Sequence, residues 1–187
     1  MRVVGGVAGG RRLRVPEGRS IRPTSDRVRE AIFSVLNSID AVEEKTVLDL
    51  FAGTGALGIE ALSRGASHVT FVDQDPVATA TIRDNLASLG MGGDSVAVVR
   101  ADALRWLEHT EERSNRRFDL ALCDPPYGFS DWERLLAGLS ADLAVLESST
   151  PLEPPEGWTV RTTKRYGGTV VTLVQPLRHQ IARKGAS

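Results

Sequence analysis

The sequence predicts an α/β protein: a mixed seven-stranded sheet with helices on both faces, preceded by an N-terminal β-hairpin arm. Three observations predict it. From residue 46 onward, short apolar runs alternate with helical stretches, the pattern of βαβ units and a mostly parallel sheet. The first run leads into a glycine loop, Gly53, Gly55 and Gly58, set between a strand and a helix. The last two runs flank Lys164-Arg165-Tyr166-Gly167-Gly168, which reads as a hairpin and gives the sheet an antiparallel close.

The elements follow in order. Arg2-Val3-Val4 and Leu13-Arg14-Val15 enclose Gly5 to Gly10, which reads as a glycine-rich hairpin or a flexible arm. In "IRPTSDRVREAIFSVLNSI", Val28, Ile32, Val35, Leu36 and Ile39 fall on one helical face. Thr24, Ser25 and Asp26 offer N-cap oxygens. Arg27 and Arg29 sit in the first turn of that helix, where the dipole disfavours cations. Two readings stay open for them: a functional role, or simple projection into water.

"TVLDLF" (46–51) is the first sheet strand, and "ALGIEALSRG" is a helix ended by Gly65. "HVTFVD" (68–73) is a strand. Residues 76–90 start with proline and end in glycine, the asymmetry a helix prefers. "SVAVVR" (95–100) is a strand, 103–113 a helix, "DLALC" (119–123) a strand, 131–139 a helix and "LAVLES" (143–148) a strand. "SSTPLEPPEG" (148–157) is a proline-rich surface loop. "WTVRTT" (158–163) and "TVVTLV" (169–174) form the closing hairpin. Two units are expected: residues 1–40, a basic arm and helix, and residues 41–187, the sheet domain.

Composition bounds the function. The chain has 187 residues, 41% of them hydrophobic, enough for a real core. No apolar run approaches the roughly 20 residues of a membrane-spanning helix. Arg2 is not followed by an apolar signal segment. A single cysteine, Cys123, excludes an intramolecular disulfide and speaks against a cysteine metal site. A cytoplasmic protein is expected. The net charge of −1 conceals an asymmetry. Residues 1–30 hold eight arginines against three acids, a net +5, and residues 157–187 hold six Lys or Arg and no acid. The stretch between carries a net −12. Two basic ends around an acidic middle point to a polyanionic partner, nucleic acid ahead of a merely soluble surface.

The glycine loop spells G-x-G-x-x-G, and Asp73 ends the next strand twenty residues after Gly53. Glycine permits the tight turn and close ligand approach, and a carboxylate at the second strand end accepts from ribose hydroxyls. An adenosine-containing ligand is expected, and an NAD-dependent oxidoreductase is a fair reading. Asp49 discriminates. It lies inside the first strand, where a dinucleotide fold would be expected to want an apolar residue. A carboxylate there suits an ammonium group, which S-adenosylmethionine has and NAD lacks. Asp102 follows the third strand and is open to two readings: acceptor for an adenine amine, or N-cap of the 103–113 helix.

"LDLFAGTGALGIEALSRGA", "FVDQD", "RADA" and "DPPY" occur in the order found in class I S-adenosylmethionine-dependent methyltransferases. With "GGVAGGRRL" and "RPTSDRVREAIF" the chain resembles the RsmD type, the bacterial small-subunit ribosomal RNA guanine-N2 methyltransferases. The resemblance covers nearly the whole chain; residues 140–187 show the strand pattern without a diagnostic motif. It implies a Rossmann-like fold over 41–187 and S-adenosylmethionine as cofactor. It also implies that Asp49 faces the methionine end and that Gly53 and Gly55 form the backbone cradle. Asp73 takes the ribose hydroxyls, and Asp102 the adenine amine with the Ala103 amide close by. Phe51 and Gln74 join that cofactor set. Asp124, Pro125, Pro126 and Tyr127 form the catalytic corner. The implied partner is ribosomal RNA within the small subunit or its assembly intermediate, with no membrane, no metal and a monomeric chain.

A guanine amine is a weak nucleophile because its lone pair is delocalised into the ring. Two acceptors on its two hydrogens, the Asp124 carboxylate and a carbonyl within Pro125-Pro126, would localise that pair. Prolines hold their carbonyls stiffly and donate no N–H. Tyr127 offers a stacking surface worth roughly 1–3 kcal/mol per base. The flanking arginines Arg11, Arg12, Arg14, Arg22 and Arg27 are the expected RNA contacts, with Arg22 and Thr24 near either the cofactor mouth or the RNA. Removing residues 1–20 is expected to weaken substrate binding alone. The alternatives are an adenine-N6 methyltransferase and an RNA-binding module without turnover. His68, His109 and His179 are expected to be ordinary surface or edge residues, Cys123 a buried apolar residue, and Trp106 core. Phe129, and the trio Lys164, Arg165 and Tyr166, remain open between site and structure.

Overall fold

The computed structural model describes residues 1–16, 26–108 and 117–177. Arg22, Thr24, His109 and His179 lie outside the described residues, as does the end of the predicted 103–113 helix. The order of elements is α1 (Asp26–Asn37), β1 (Thr46–Leu50), α2 (Ala56–Ser63), β2 (His68–Asp73), α3 (Pro76–Leu89), β3 (Val96–Arg100), α4 (Ala103–Glu108), β4 (Phe118–Cys123), α5 (Trp132–Gly138), β5 (Ala141–Ser148), β6 (Trp158–Tyr166) and β7 (Thr169–Pro176). A short 3₁₀ turn at Gly93–Ser95 precedes β3.

The seven strands form one sheet in the order β3-β2-β1-β4-β5-β7-β6. The first five pair in parallel, and β7 runs antiparallel to both β5 and β6. The chain moves outward from β1 to β3, then returns to place β4 on the other side of β1. That reversal opens a crevice at the carboxyl ends of β1 and β4, where open α/β sheets bind ligands. The pleat divides the core. Val47, Leu120, Leu122 and Val145 pack with Phe33, Ile59 and Ile82 from α1, α2 and α3. Leu48, Leu50, Ala121, Cys123 and Leu146 pack with Leu104, Leu107, Leu135 and Leu136 from α4 and α5. The alternation along each strand, period two, produces these two layers.

Local chemistry sets the ends of the elements. Asp75 caps α3 by accepting from Val77 N at 2.9 Å, Pro76 follows, and Gly90 ends the helix in the left-handed region at φ 70°. The closing hairpin is tighter than the sequence suggests. β6 and β7 pair up to Tyr166 and Thr169, leaving Gly167 and Gly168 as a two-residue turn with Gly167 at φ 61°. Trp106 and Cys123 are core, as expected: Trp106 packs on Phe118 and Cys123 is buried.

The N-terminal arm is a hairpin with a bridge between Arg2 and Arg12, and it is anchored rather than flexible. Val4 N and Gly5 N donate to the two oxygens of buried Glu60, at 2.7 and 2.8 Å. Ala8 N donates to Ser63 Oγ and Val7 N to the Ser63 carbonyl. Val3, Ala8 and Leu13 enter the same apolar cluster as α1, α2 and β1. Arg29 departs from both readings left open for it: it is wholly buried. Its Nη2 donates to the Arg2 carbonyl and to Asp26 Oδ1, and its Nε lies 3.8 Å from Glu60 Oε2. A cation in the first turn is thus held by two carboxylates against the dipole. Arg27 is exposed.

Candidate active site

β1 ends in the glycine loop, and the loop is built by two aspartates. Asp49 is 1% exposed, and its Oδ2 accepts from Gly58 N at 2.9 Å, tying the strand to the first turn of α2. Asp73, at the end of β2, accepts from Gly53 N at 2.8 Å and from Asp75 N at 2.9 Å. Phe51 enters the loop at φ 59°, an uncommon conformation for a bulky residue and one that marks a constrained position. The three glycines serve different ends. At Gly53 (φ 55°) a Cβ would meet nothing nearer than the Phe51 carbonyl at 3.9 Å, so that side of the loop faces open space. At Gly55 (φ 78°) a Cβ would press on Ile82 at 3.1 Å. At Gly58 it would lie 2.3 Å from the Phe71 ring, so that glycine serves helix–sheet packing.

These residues border a cleft of about 580 Å³. Asp49, Phe51, Gly53, Asp73, Gln74, Asp102 and Ala103 all line it, and so do Asp124, Pro125, Pro126 and Tyr127. Gly55 does not border the cleft directly; it turns the chain into α2 by donating to the Ala52 carbonyl at 2.7 Å. Asp102 is an N-cap that also borders the cleft: its Oδ1 caps α4 by accepting from Arg105 N at 2.9 Å. Phe129 both lines the cleft and packs edge-on against Phe51 and Trp132, at centroid distances of 5.3 and 4.9 Å.

Six carboxylates line the cleft: Asp49, Asp73, Asp75, Asp102, Asp124 and Glu147. No lysine or arginine does among the described residues. Burial pushes the Asp49 carboxyl well above the usual carboxylate range. The Gly58 amide opposes that shift, and the charges of Asp124 and Asp73 add to it. With five further carboxylates and no cation among the described lining residues, the cleft is acidic. A dinucleotide diphosphate would enter it against repulsion, whereas an ammonium and a sulfonium relieve it. That chemistry answers the choice left open between NAD and S-adenosylmethionine in favour of the latter.

The Asp124-Pro125-Pro126-Tyr127 corner closes β4. Asp124 and Pro125 are half-buried, and Tyr127 is 74% exposed, a ring presented to solvent at the mouth. Phe129 N donates to the Pro126 carbonyl at 3.1 Å, so the turn itself uses that one of the two proline carbonyls.

Several site residues escaped the sequence reading. Glu147, Ser148 and Thr150 enter from the end of β5, and Thr169 from the β6–β7 hairpin. Of the trio at that hairpin, only Tyr166 reaches the cleft. Met1 lines it too, and its Sδ accepts from Thr54 Oγ1 at 3.6 Å. Buried Asn85 joins arm and loop: its Nδ2 donates to the carbonyls of Thr54 and Arg14, and its Oδ1 accepts from Arg14 N. Only their packing marks these residues. Among the expected RNA contacts, Arg11 donates to the Ser88 carbonyl and Arg14 pairs with Asp84, both at the surface of α3, while Arg12 is exposed.

A doubly wound sheet in this strand order, with a cation-seeking cleft and a DPPY corner at its switch point, defines a class I methyltransferase. S-adenosylmethionine is the cofactor of that class, and the residues of the cleft fit it. The comparisons with known proteins narrow the class. The family model described as "Conserved hypothetical protein 95" matches residues 1–175, and the chain belongs to that RsmD family. The "Ribosomal RNA small subunit methyltransferase D" of Haemophilus influenzae is 32% identical over 184 residues, 94% of this chain and 93% of the relative. Its namesake from Escherichia coli is 32% identical over 94% of this chain and 89% of the relative. The solved structure of a hypothetical protein from Thermus thermophilus superposes with a TM-score of 0.80 at 32% identity, covering 94% of this chain and 99% of that one.

Proposed function

We propose that this chain transfers a methyl group from S-adenosylmethionine to the exocyclic N2 amine of a guanine in small-subunit ribosomal RNA. The observation that carries the reading is the Asp124 corner facing an acid-lined cleft without a cation among the described residues. The names of the full-length relatives supply the RNA class. Bound S-adenosylmethionine supplies the electrophilic methyl group. The chain's own residues do the rest. Asp49 receives the ammonium end, and Asp73 and Asp102 receive the ribose and adenine ends. Gly53 lets the backbone approach. Asp124 and the Pro125 carbonyl accept the two hydrogens of the amine, which brings its lone pair out of conjugation. Tyr127 stacks on the flipped base. The rate gain is positioning in line plus stabilisation of charge as it develops on nitrogen. Asp124 need not take a full proton first, since the methylated amine is strongly acidic and loses one to Asp124 or to water.

The test is incubation with labelled cofactor and small subunits lacking native methylation, with naked RNA and DNA alongside, followed by digestion to nucleosides. Label in N2-methylguanosine is the expected result. Label in N6-methyladenosine overturns the substrate. Absence of label with cofactor still bound leaves an RNA-binding module.

A further inference from the structure

We propose that Glu147 reads the Watson–Crick edge of the target base and selects guanine over adenine. The inference rests on the guanine-N2 reading above and adds a specificity residue to it. Glu147 is only 5% exposed, yet it borders the cleft. The β4–β5 register pairs Cys123 with Leu146, so the next residues along the two strands, Asp124 and Glu147, end adjacent strands side by side. Cys123 and Leu146 both face the α4–α5 layer. The pleat therefore turns Asp124 and Glu147 to the opposite face of the sheet. Asp49 shares that face, between Leu48 and Leu50, which also point to the α4–α5 layer. Neighbouring strands lie about 4.8 Å apart, which sets the backbones of Asp124 and Glu147 about one strand spacing apart on one face of the sheet.

The spacing suits one base edge. In guanine the reacting amine is adjacent to the ring N1–H. With the amine held at Asp124, a carboxylate beside it accepts from that N1–H. In adenine the ring atom adjacent to the amine on this edge is N1, a lone pair. The same carboxylate then faces an acceptor, and the base N1 is left without a donor in a buried place. A carboxylate offers about four lone-pair sites, so a base N–H adds to the contacts Glu147 keeps within the protein. The corner at Asp124 recognises an amine in either base; Glu147 supplies the distinction.

The test uses small subunits reconstituted with the target guanosine, mapped first with the wild-type protein, replaced by 2,6-diaminopurine riboside. That base keeps the 2-amine and presents a lone pair at N1. Wild-type kcat/KM is expected to be about 10- to 100-fold lower on diaminopurine than on guanine. In E147Q, whose amide can donate to N1, the two substrates should fall within about threefold of each other. Cofactor Kd should be unchanged, which shows the cleft intact. Equal wild-type rates on the two bases, or a wild-type ratio retained in E147Q, overturns the inference while leaving the guanine-N2 reading in place. If E147Q does not bind cofactor, E147D decides: a reduced ratio supports the inference and an unchanged one overturns it. A wild-type product of N6-methyladenosine removes the reading itself before any variant is made.

Discussion

In the proposed reaction Asp49 and Asp124 have different parts, and their variants should separate cleanly. Asp124→Ala is expected to keep cofactor Kd and melting temperature while lowering turnover by about 10²-fold or more, the scale for losing a positioned polar catalytic group. Turnover within a few-fold of wild type would sink that role. Asp49 acts on stability as well. Its carboxyl is raised by burial in the folded protein, so the native state holds its proton to higher pH than the unfolded chain does. The cofactor-free protein therefore loses stability as pH climbs from the ordinary carboxylate range through the raised value. Asp49→Asn keeps an acceptor for Gly58 N and should flatten that loss in melting temperature against pH, while weakening cofactor binding. In the wild type, an ammonium beside Asp49 favours the ionised carboxylate, so cofactor affinity should rise over the same pH interval. Asp49 was legible in the sequence because a carboxylate inside an apolar strand is out of place. Glu147 was not: at the end of "LAVLES" it looks like any residue leaving a sheet, and only the register beside Asp124 gives it a meaning.

The glycine loop and the arm are where element-scale physics decides. The sequence placed three glycines in a ligand-binding fingerprint, but the structure gives them unequal tasks. Gly53→Ala adds a methyl on the open side of the loop and should lower cofactor affinity at a stability cost of about 1 kcal/mol from the positive φ. Gly58→Ala forces a Cβ against the Phe71 ring and should cost about 1–3 kcal/mol of stability through overpacking. Paired denaturation and cofactor-binding curves check both, and the reverse ranking would show that Gly58 is the ligand contact. Along the arm, "GGVAGG" read as either hairpin or flexible chain. Its docking on Glu60 and Ser63 was invisible because α2 contributes those partners from more than fifty residues away. The docking makes glycine obligatory at position 6: at φ 73° a Cβ there would fall 1.7 Å from the Ser63 carbonyl. Glu60→Ala would strand the buried Arg29 guanidinium near one fewer carboxylate and release two arm amides, a loss of about 3–5 kcal/mol.

Across the whole molecule, charge sorts the substrate's parts. The strand succession and the mixed close of the sheet were readable from alternating apolar runs, and the basic ends from a count of arginines. How those arginines are spent depends on contacts distant in sequence. Arg29 is consumed by the core, and Arg11 and Arg14, though exposed, are tied to the surface of α3. Arg12 and Arg27 remain exposed on the same arm and helix. An acidic cleft repels phosphates, so the backbone of a flipped nucleotide must stay at the rim, where exposed cations can neutralise it. Deleting residues 1–20 cannot test this. Val3 and Leu13 belong to the core and Met1 borders the cleft, so stability and cofactor affinity should fall together with substrate binding. Point substitutions can. Arg12→Gln combined with Arg27→Gln should weaken subunit binding while leaving cofactor Kd and melting temperature unchanged. The slope of log affinity against log salt should become shallower by about 0.7–0.9 for each phosphate contact removed. An unchanged slope with unchanged affinity would place the RNA on another face of the molecule and return both arginines to the solvated surface.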